Sequence, residues 1–411
     1  MTRCDSPPAE LMASTPVARA RYALIAAFVV IAAWQMTAAR LGEYHGDFVI
    51  YENAARALYE NPNEPIHVGE PGYVYPPFLA TAIRPFHVIA QPWRSLAWDL
   101  FRWLCIGGAL IVCHRRVTQM YSERIASFAV GFCMIASLRP LRHLPWYGNR
   151  NASLLLATML GWHALASKKP AGAGIAWSLI AAMKPASSAV LLAPLARRSS
   201  RTPTCWVACF AGLIATTVIL PLVLFGWRVT WLQITAFPEG AATPTGAVYT
   251  RFSNFSLGLA TARLWGVVTN TYSKEPEPDV FMAGRIITGI LLVVVVTLIL
   301  RRLRRRDDLC SLDYAVAALA VASTLISPVV WFAHYLALIP AYAVLTGEAL
   351  THSDRRTRII CGAAIVFCSS LIAAKATIFK TLVWGPLALL GTLVLLSFQK
   401  PVHPAPPLRD S

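Results

Sequence analysis

Hydrophobic residues in this chain occur in long runs, separated by polar, basic or proline-rich segments. Most runs approach the ~20 residues that a helix needs to cross the hydrocarbon core of a bilayer. The pattern predicts crossing helices at about 22–39, 95–113, 124–138, 151–167, 204–226, 280–300, 311–327, 329–347, 358–375 and 382–398. Together with broken and interfacial segments, we expect an all-α polytopic membrane protein with roughly 11–13 hydrophobic helices.

A single membrane domain, residues 19–398, is expected to account for nearly the whole chain. The polar, proline-rich residues 1–18 predict a disordered tail, and residues 399–411 form a second tail. The first large loop, residues 40–94, follows the first crossing helix. Its segment from Phe48 to Tyr59 has the apolar spacing of a short helix that lies along the membrane interface.

Basic residues predict the topology. The chain has 411 residues, of which 56% are hydrophobic and 14% charged, and its formal net charge is +17. Basic clusters flank the hydrophobic runs, as the positive-inside rule expects of cytoplasmic loops. They are Arg115-Arg116, Lys168-Lys169, Arg197-Arg198 and Arg301 to Arg306. The charge therefore reflects membrane topology rather than nucleic-acid binding, and it predicts a plasma (inner) membrane protein with both termini in the cytoplasm.

Residues 170–196 do not fit a single crossing. Basic pairs flank both ends of this run, and Lys184-Pro185 lies near its centre. One straight helix would place the second basic pair on the outer side. Two short limbs that meet at Lys184-Pro185 near the outer face would obey the charge rule. Because broken helices are tolerated where backbone lines a protein cavity, we favour the two limbs.

Under this topology, polar residues that are far apart in the sequence map to the outer boundary. They are Asp47, Lys184, Asn254 and His334, joined by Arg139, Arg142, His143 and Arg150 of the second outer loop. Positive charge is unusual on that side, and guanidinium groups bind phosphate. A carboxylate beside such cations suits sugar transfer from a lipid phosphate. The carboxylate can accept the proton of an acceptor hydroxyl, and the cations can stabilise the departing phosphate.

Each candidate also has a purely structural interpretation. Asp47 fits a helix cap or a solvated loop residue. Lys184 could snorkel to the interface without binding a ligand, and a lone histidine such as His334 could pack among its neighbours. Arg139 and Arg142 could pair with lipid headgroups.

Several motifs, taken in order, carry a family resemblance. They are Gly46-Asp47, Tyr75-Pro76-Pro77-Phe78, Arg84-Pro85-Phe86, Lys184-Pro185, Asn254-Phe255-Ser256-Leu257 and Ser327-Pro328-Val329-Val330-Trp331-Phe332-Ala333-His334. Over residues 40–345 the chain resembles the polytopic glycosyltransferases of family 87. This branch of the GT-C superfamily includes actinobacterial polyprenol-phosphate-mannose-dependent α-1,2-mannosyltransferases. One departure is Gly148-Asn149-Arg150-Asn151, where the family often has Gly-Gln-x-Asn, and it leaves specificity for the donor sugar or lipid open.

The resemblance implies a GT-C helical bundle with interfacial helices and a lateral cavity open to lipid. It also implies transfer with inversion and without a nucleotide sugar. Asp47 is the catalytic base in this interpretation, and Lys184 and His334 hold the donor phosphate. The full set of expected substrate-binding residues is Lys184, His334, Tyr75, Asn254, Arg150 and Asn151.

The predicted function is transfer of a hexose, with mannose favoured, from a polyprenyl-phosphate donor to an acceptor hydroxyl at the outer face. Expected partners are the donor, a glycolipid or glycan acceptor and membrane lipids. Neither a cofactor nor a metal is expected, since the first outer loop contains no Asp-x-Asp and the cysteines form no Cys-x-x-Cys pair. The alternatives are a transporter or flippase of lipid-linked sugars and a non-catalytic scaffold. The acceptor, the oligomeric state and the choice among mannose, arabinose and glucose stay open.

Overall fold

The computed structural model describes residues 16–41, 46–66, 73, 75–147, 149–197, 201–242, 256–271, 273, 276–306, 309–327, 330, 332–374 and 383–399. Over these ranges the chain is helical and contains no strand. The expectation of an all-α polytopic membrane protein is confirmed. Its α-helices are numbered here α1 to α16 in chain order.

The helices of the first half are α1 (Pro16–Leu41), α2 (Gly46–Glu60), α3 (Pro77–His87), α4 (Trp93–Met120), α5 (Glu123–Ala136), α6 (Leu138–Tyr147), α7 (Asn151–Ala166) and α8 (Pro170–Met183). Those of the second half are α9 (Thr202–Ile214), α10 (Leu220–Ala242), α11 (Leu257–Val268), α12 (Pro278–Arg306), α13 (Leu309–Ile326), α14 (Ile339–Thr351), α15 (Arg355–Ala374) and α16 (Trp384–Phe398). Two 3₁₀ segments, Pro185–Ala196 and Phe332–Leu338, and a π-helical turn, Ala215–Ile219, complete the described elements.

Four described segments are long and apolar enough to cross a membrane as single helices. They are Trp93–Met120, Thr202–Pro238, Asp279–Arg306 and Arg355–Ala373. Shorter apolar helices accompany them. The centre of the bundle is formed by α13 and α14, whose side chains are almost all buried.

Helix α4 connects two chemically different ends of the bundle. Near its start, Trp98 stacks on Phe48 of α2 with ring centroids 5.1 Å apart. Near its end, Arg116 pairs with the buried Asp313 of α13 at 2.7 Å. Arg102, which lies close to Asp47, and Arg116 are about 20 Å apart along this helix, given the α-helical rise per residue. We call the two ends the site end, which contains Asp47, and the basic end, which contains Arg116.

The first large loop contains the expected short helices. The segment predicted as an interfacial helix, Phe48 to Tyr59, lies within α2. Helix α3 starts at Pro77, where a missing N–H and a fixed φ suit the first helical turn. Glu52 of α2 forms an ion pair with Arg94 at the start of α4. This pair fastens α2, and therefore Asp47, to the bundle.

The segment 170–196 is divided at Lys184, as the charge pattern predicts. Helix α8 ends at Met183, Lys184 has a non-helical φ of −152° and ψ of 87°, and the chain continues as Pro185–Ala196, here called the 3₁₀ limb. The far end of this limb returns to the basic end, because Leu195 lines the same groove as Arg301 and Arg304. The two limbs therefore meet at Lys184.

Close packing between α8 and α9 holds the first limb in place. A β-carbon added at Gly174 would lie 2.1 Å from the carbonyl oxygen of Cys205. Only glycine allows this approach, as is common where helices pack within membranes. On the other side of α8, Nε1 of Trp177 donates a hydrogen bond of 3.3 Å to the carbonyl of Thr158 in α7.

Three expectations about local structure are wrong. Much of the second outer loop is helical, since α6 spans Leu138–Tyr147. The loop expected from residue 227 is helical as far as Ala242, because the chain kinks at Gly226, whose φ of 78° is non-helical, and then resumes a helical course. The crossing expected at 329–347 starts with the 3₁₀ turn Phe332–Leu338, which contains His334.

Candidate active site

Asp47 occupies the first turn of α2. The preceding Gly46 has a φ of 45°, in the left-handed region that glycine adopts without strain, and it turns the chain into the helix at this point. A first-turn carboxylate also benefits from the positive end of the helix dipole. The backbone thus fixes the place of the single acid that the sequence marks out.

Burial raises the pKa of Asp47 to about 6, because desolvation disfavours the charged carboxylate. The charges of Arg150, Lys184 and Arg102 and a hydrogen bond from Tyr51 act in the opposite direction, but desolvation outweighs them. The residue as a whole is half-buried rather than fully enclosed. A carboxyl group with a pKa near 6 is suited to act as a general base close to neutral pH.

Tyr51 links Asp47 to Arg150. Nη1 of Arg150 donates a hydrogen bond of 2.8 Å to the Tyr51 hydroxyl, and this hydroxyl lies 3.5 Å from Oδ2 of Asp47. An arginine can only donate, so the hydroxyl proton of Tyr51 is left for the carboxylate. Tyr51 itself is fully buried. The three residues form a chain of hydrogen bonds from Arg150 to Asp47, in which the last contact is long.

The Tyr-Pro-Pro segment encloses Arg150. The guanidinium lies 3.4 Å from the centroid of the Tyr75 ring, a cation–π contact that favours its charged form. Tyr73 holds this segment in place, because its hydroxyl donates to the carbonyl of Pro76 at 2.8 Å and accepts from the amide of Ala80 at 3.0 Å. Arg150 is buried. Its charge therefore acts from behind the two tyrosines rather than from the cavity surface.

The loop before α7 carries several buried donors. Nδ2 of Asn149, Nε of Arg150 and Nδ2 of Asn151 find no hydrogen-bond partner within the described part of the chain. Oδ1 of Asn149 accepts from the amide of Asn151 at 3.2 Å, which fixes the loop. An unpaired buried donor costs about 1–3 kcal/mol. A ligand with phosphate or hydroxyl oxygens would relieve that cost, so this loop is a candidate binding element.

Lys184 and His334 face a common cavity. A space of about 30 Å³, enough for about two water molecules, is lined by Asn151, Lys184, Ser187, Ser323 and His334 among others. Lys184 is also close enough to Asp47 to lower its pKa. The structure therefore brings Asp47, Lys184 and His334 to the same end of the bundle, with Tyr75, Arg150 and Asn151 beside them.

The other cations of the second outer loop do not join this cavity. Nη1 of Arg139 donates to the carbonyls of Ile372 at 3.3 Å and Ala373 at 2.7 Å, and thereby caps the last turn of α15. His143 stacks on Phe332 at 4.9 Å, so it supports the turn that carries His334. Arg142 is exposed. The expected basic cluster is thus reduced to Arg150, and Asn254 lies outside the described residues.

Comparison with known families assigns the chain to one of them. The sequence profile of Glycosyltransferase family 87 matches residues 73–328, more than half of the chain. The chain belongs to glycosyltransferase family 87. It is therefore a membrane glycosyltransferase, which uses a sugar donor and an acceptor as substrates. No curated protein and no solved structure matched. Asp47 precedes the matched region and His334 follows it, whereas Tyr75, Arg150, Asn151 and Lys184 lie within it.

Three residues of this candidate site were not singled out as site residues from the sequence. Tyr51 is one helical turn from Asp47, a spacing that places two side chains on one helix face and could have revealed it. Arg102 is a charge inside a predicted crossing helix, which is by default a functional candidate. Asn149 lies in the loop that departs from the family pattern, but no spacing indicates that its amide is buried.

An apolar groove at the site end opens to the side of the bundle. It measures about 470 Å³ and runs between α1 and the first half of α4, where Phe28, Met36, Leu100 and Trp103 line it. No charged side chain lines this groove among the described residues. Arg102, on the same helix, lies close to Asp47. The groove gives this glycosyltransferase an exposed apolar surface beside its candidate active site.

Proposed function

We propose that this family 87 glycosyltransferase transfers a hexose, with mannose as the first choice, from a polyprenyl-phosphate donor to an acceptor hydroxyl at the outer face of the plasma (inner) membrane. The observation that supports this most is the position of Lys184. It is close enough to Asp47 to shift its pKa, and it shares a cavity with His334. A base for the acceptor thus lies beside Lys184 and His334, the two residues proposed to hold the donor phosphate.

Asp47 acts as the general base in the proposed reaction. It accepts the proton of the acceptor hydroxyl while the hydroxyl oxygen attacks the anomeric carbon of the donor sugar. The bond from this carbon to the phosphate oxygen breaks, and the lipid phosphate leaves with the electron pair. Attack from the face opposite the leaving group inverts the anomeric configuration.

Lys184 and His334 stabilise the departing lipid phosphate. They face it across their shared cavity, where hydrogen-bond donors fixed in advance are most effective. Arg150 adds positive potential through the layer of Tyr51 and Tyr75. We propose Tyr75, Asn151 and Asn254 as the residues that line the sugar.

The donor's isoprenoid chain fits the groove between α1 and α4, since that groove is apolar and lies at the site end.

The distribution of charge favours an orientation in which the site end faces the outer side of the membrane. Arg116 and the arginines that end α12 lie at the opposite end of the bundle, and clusters of this kind face the cytoplasm in most membrane proteins.

The proposal is tested with purified, full-length protein in phosphatidylcholine vesicles. The donor is a synthetic polyprenyl-phosphate β-mannose, and the acceptor is octyl α-mannoside. We expect a new disaccharide glycoside with an α linkage, and no product when a nucleotide-linked mannose replaces the lipid donor. Product formed from the nucleotide sugar, or a retained β linkage, would refute the proposed donor or mechanism. Movement of the lipid-linked sugar across the vesicle without a new glycosidic bond would favour a flippase instead.

The role of Asp47 is tested by Asp47→Asn, which keeps the size of the side chain and removes its basicity. We expect turnover to fall by about 10²–10⁴-fold, the usual contribution of a general base, with donor binding retained. Glu60→Gln, an exposed carboxylate at the end of the same helix, is the matched control and should leave turnover unchanged. Equal turnover in Asp47→Asn and Glu60→Gln would remove Asp47 from the mechanism.

A further inference from the structure

A second lateral groove lies on another side of the bundle. It measures about 450 Å³ and is bounded by the 3₁₀ limb, α12 and α13. Leu192 and Leu195 of the limb and Leu292 and Leu300 of α12 form much of its apolar wall. We call it the arginine groove, because Arg301 and Arg304 line one end of it.

The charges of this groove are confined to the basic end. Arg301 and Arg304 are three positions apart, so they lie on the same face of α12, and both are exposed. The rest of the described lining is apolar except for Thr297. Such a surface fits an amphiphile with a long apolar chain and an anionic head, whose head lies at the arginines.

The dimensions fit a lipid from one leaflet. From Leu292 to Arg304 the groove follows α12 for about 18 Å. Half of a bilayer's hydrocarbon core measures about 15 Å. An acyl chain laid along this wall would therefore reach the bilayer centre with its headgroup beside Arg301 and Arg304.

The arginine groove is separate from the cavity that contains Lys184 and His334. The 3₁₀ limb and α13 meet between the two, and Oγ of Ser323 donates a hydrogen bond of 3.3 Å to the carbonyl of Ser187 at this seam. The phosphate of a sugar donor bound at Lys184 would lie at the site end, far from Arg301 and Arg304 at the basic end of the groove. The charge distribution therefore favours a resident lipid over the sugar donor.

We propose that the arginine groove binds an anionic phospholipid from the leaflet at the basic end, with its phosphate on Arg301 and Arg304. Basic pockets between helices on the cytoplasmic side commonly hold anionic headgroups. The lipid would also support the 3₁₀ limb, which continues for 12 residues, although 3₁₀ runs beyond 3–4 residues are uncommon. Because Lys184 directly precedes this limb, the lipid would stabilise the wall of the candidate active site.

The charge part of the proposal is tested by lipid titration of the purified, full-length protein. Phosphatidylglycerol and phosphatidylcholine with identical acyl chains are compared by native mass spectrometry and by the thermal unfolding midpoint. We expect phosphatidylglycerol to bind more tightly and to raise the midpoint further. The double variant Arg301→Gln with Arg304→Gln should bind phosphatidylglycerol roughly 30-fold more weakly, as two lost cations predict.

The matched control removes two exposed arginines at the same end, Arg305→Gln with Arg355→Gln, and it should retain the preference for phosphatidylglycerol. Equal responses to both lipids, or equal losses in the two double variants, would overturn the proposal. Displacement of phosphatidylglycerol from this groove by polyprenyl phosphate would also overturn it, since the groove would then belong to the donor.

A second variant tests the apolar wall without changing charge. Val293 lines the groove, so Val293→Trp should narrow it and abolish the stabilisation by phosphatidylglycerol. Ile290→Trp is the control, because Ile290 is similarly exposed on α12 and is not among the residues that line the groove. Lipid stabilisation that survives Val293→Trp would place the lipid elsewhere on the protein.

Discussion

Arg150 donates a hydrogen bond of 2.8 Å to the hydroxyl of Tyr51, a residue 99 positions earlier in the chain. This contact uses the hydroxyl oxygen of Tyr51 as the acceptor, so its hydroxyl proton remains available to Asp47, which lies 3.5 Å away. The positive charge of the buried Arg150 guanidinium thereby acts on the carboxylate of Asp47, which is desolvated. The relationship gives the candidate base both a fixed position and a defined electrostatic environment.

Tyr51→Phe should impair catalysis without unfolding the protein. The substitution keeps the buried ring and removes the hydroxyl between Arg150 and Asp47, and hydrogen bonds to charged groups contribute about 1.5–3 kcal/mol. The bond to Asp47 is long, so we expect the low end, about a tenfold loss of kcat. Because this bond lowers the pKa of Asp47, the acidic limb of the pH–rate profile should move to higher pH. Tyr314→Phe, which removes a buried hydroxyl from Glu348 at the basic end, should not move that limb; if it does, the shift is not specific to the active site.

Activity should fall on the acidic side of pH 6. Burial raises the pKa of Asp47 to about 6 against the opposing charges of Arg150, Lys184 and Arg102. The base is active only when it is deprotonated, so kcat/KM should decrease about tenfold for each pH unit below 6. An ordinary solvated aspartate would place this limb near pH 4. Measurement of kcat/KM between pH 4.5 and 8 distinguishes the two, and a profile that is flat down to pH 5 would contradict the assignment.

Asp47→Asn should make the protein more stable at pH 7.5. The folded state holds the Asp47 proton more tightly than the unfolded chain, whose aspartate has a pKa of about 3.9. The free energy of unfolding of the native protein therefore falls as the pH rises from about 4 to about 6, and it remains lower above that range. Asparagine cannot ionise, so the unfolding midpoint of Asp47→Asn should exceed that of the native protein at pH 7.5 and approach it at pH 4. The same midpoint difference at both pH values would show that desolvation of the carboxylate is not the cause.

The position of Lys184 could be inferred from sequence because local signals agree there. A proline follows it, basic pairs lie on both sides of its segment, and each feature independently predicts a break. The partner of Arg139 could not be inferred in this way. Its guanidinium binds the carbonyls of Ile372 and Ala373, more than 230 residues later in the chain. The sequence pattern of neither segment predicts this contact.

Helix α6 shows a second limit of local patterns. Residues 138–147 contain two prolines and several cations, which are typical of a loop, yet they form a helix. The helix packs against the turn that carries His334, so tertiary contact overrides local propensity. Tyr51 shows the opposite case. Its spacing from Asp47 is a local signal, but its importance depends on Arg150, which only the folded chain brings close.

Asn151→Ala should weaken substrate binding while leaving the fold intact or slightly stabilised. Nδ2 of Asn151 is buried without a partner among the described residues, so its removal relieves an unpaired donor. If the donor substrate accepts this hydrogen bond, KM should rise about 3–10-fold, which is the effect of one lost bond of about 1 kcal/mol. Ser153→Ala is the contrasting variant, since its hydroxyl already donates to the carbonyl of Arg150 at 2.7 Å, and it should lower the unfolding midpoint. A lower midpoint with unchanged KM in Asn151→Ala would assign that side chain a structural role.

Asp313→Asn should destabilise the protein through an effect confined to the basic end. Both carboxylate oxygens of the fully buried Asp313 accept from Arg116, at 2.8 and 2.7 Å, and Nε1 of Trp162 adds a third bond of 2.7 Å. Removing one partner leaves a buried charge uncompensated, which typically costs about 3–5 kcal/mol. The double variant Asp313→Asn with Arg116→Met should recover part of this loss, because the stranded charge is removed as well. Since this network lies about 20 Å from Arg102 along α4, the pH–rate profile of the folded enzyme should stay unchanged. A shifted acidic limb in Asp313→Asn would instead show that the two ends of the bundle are coupled.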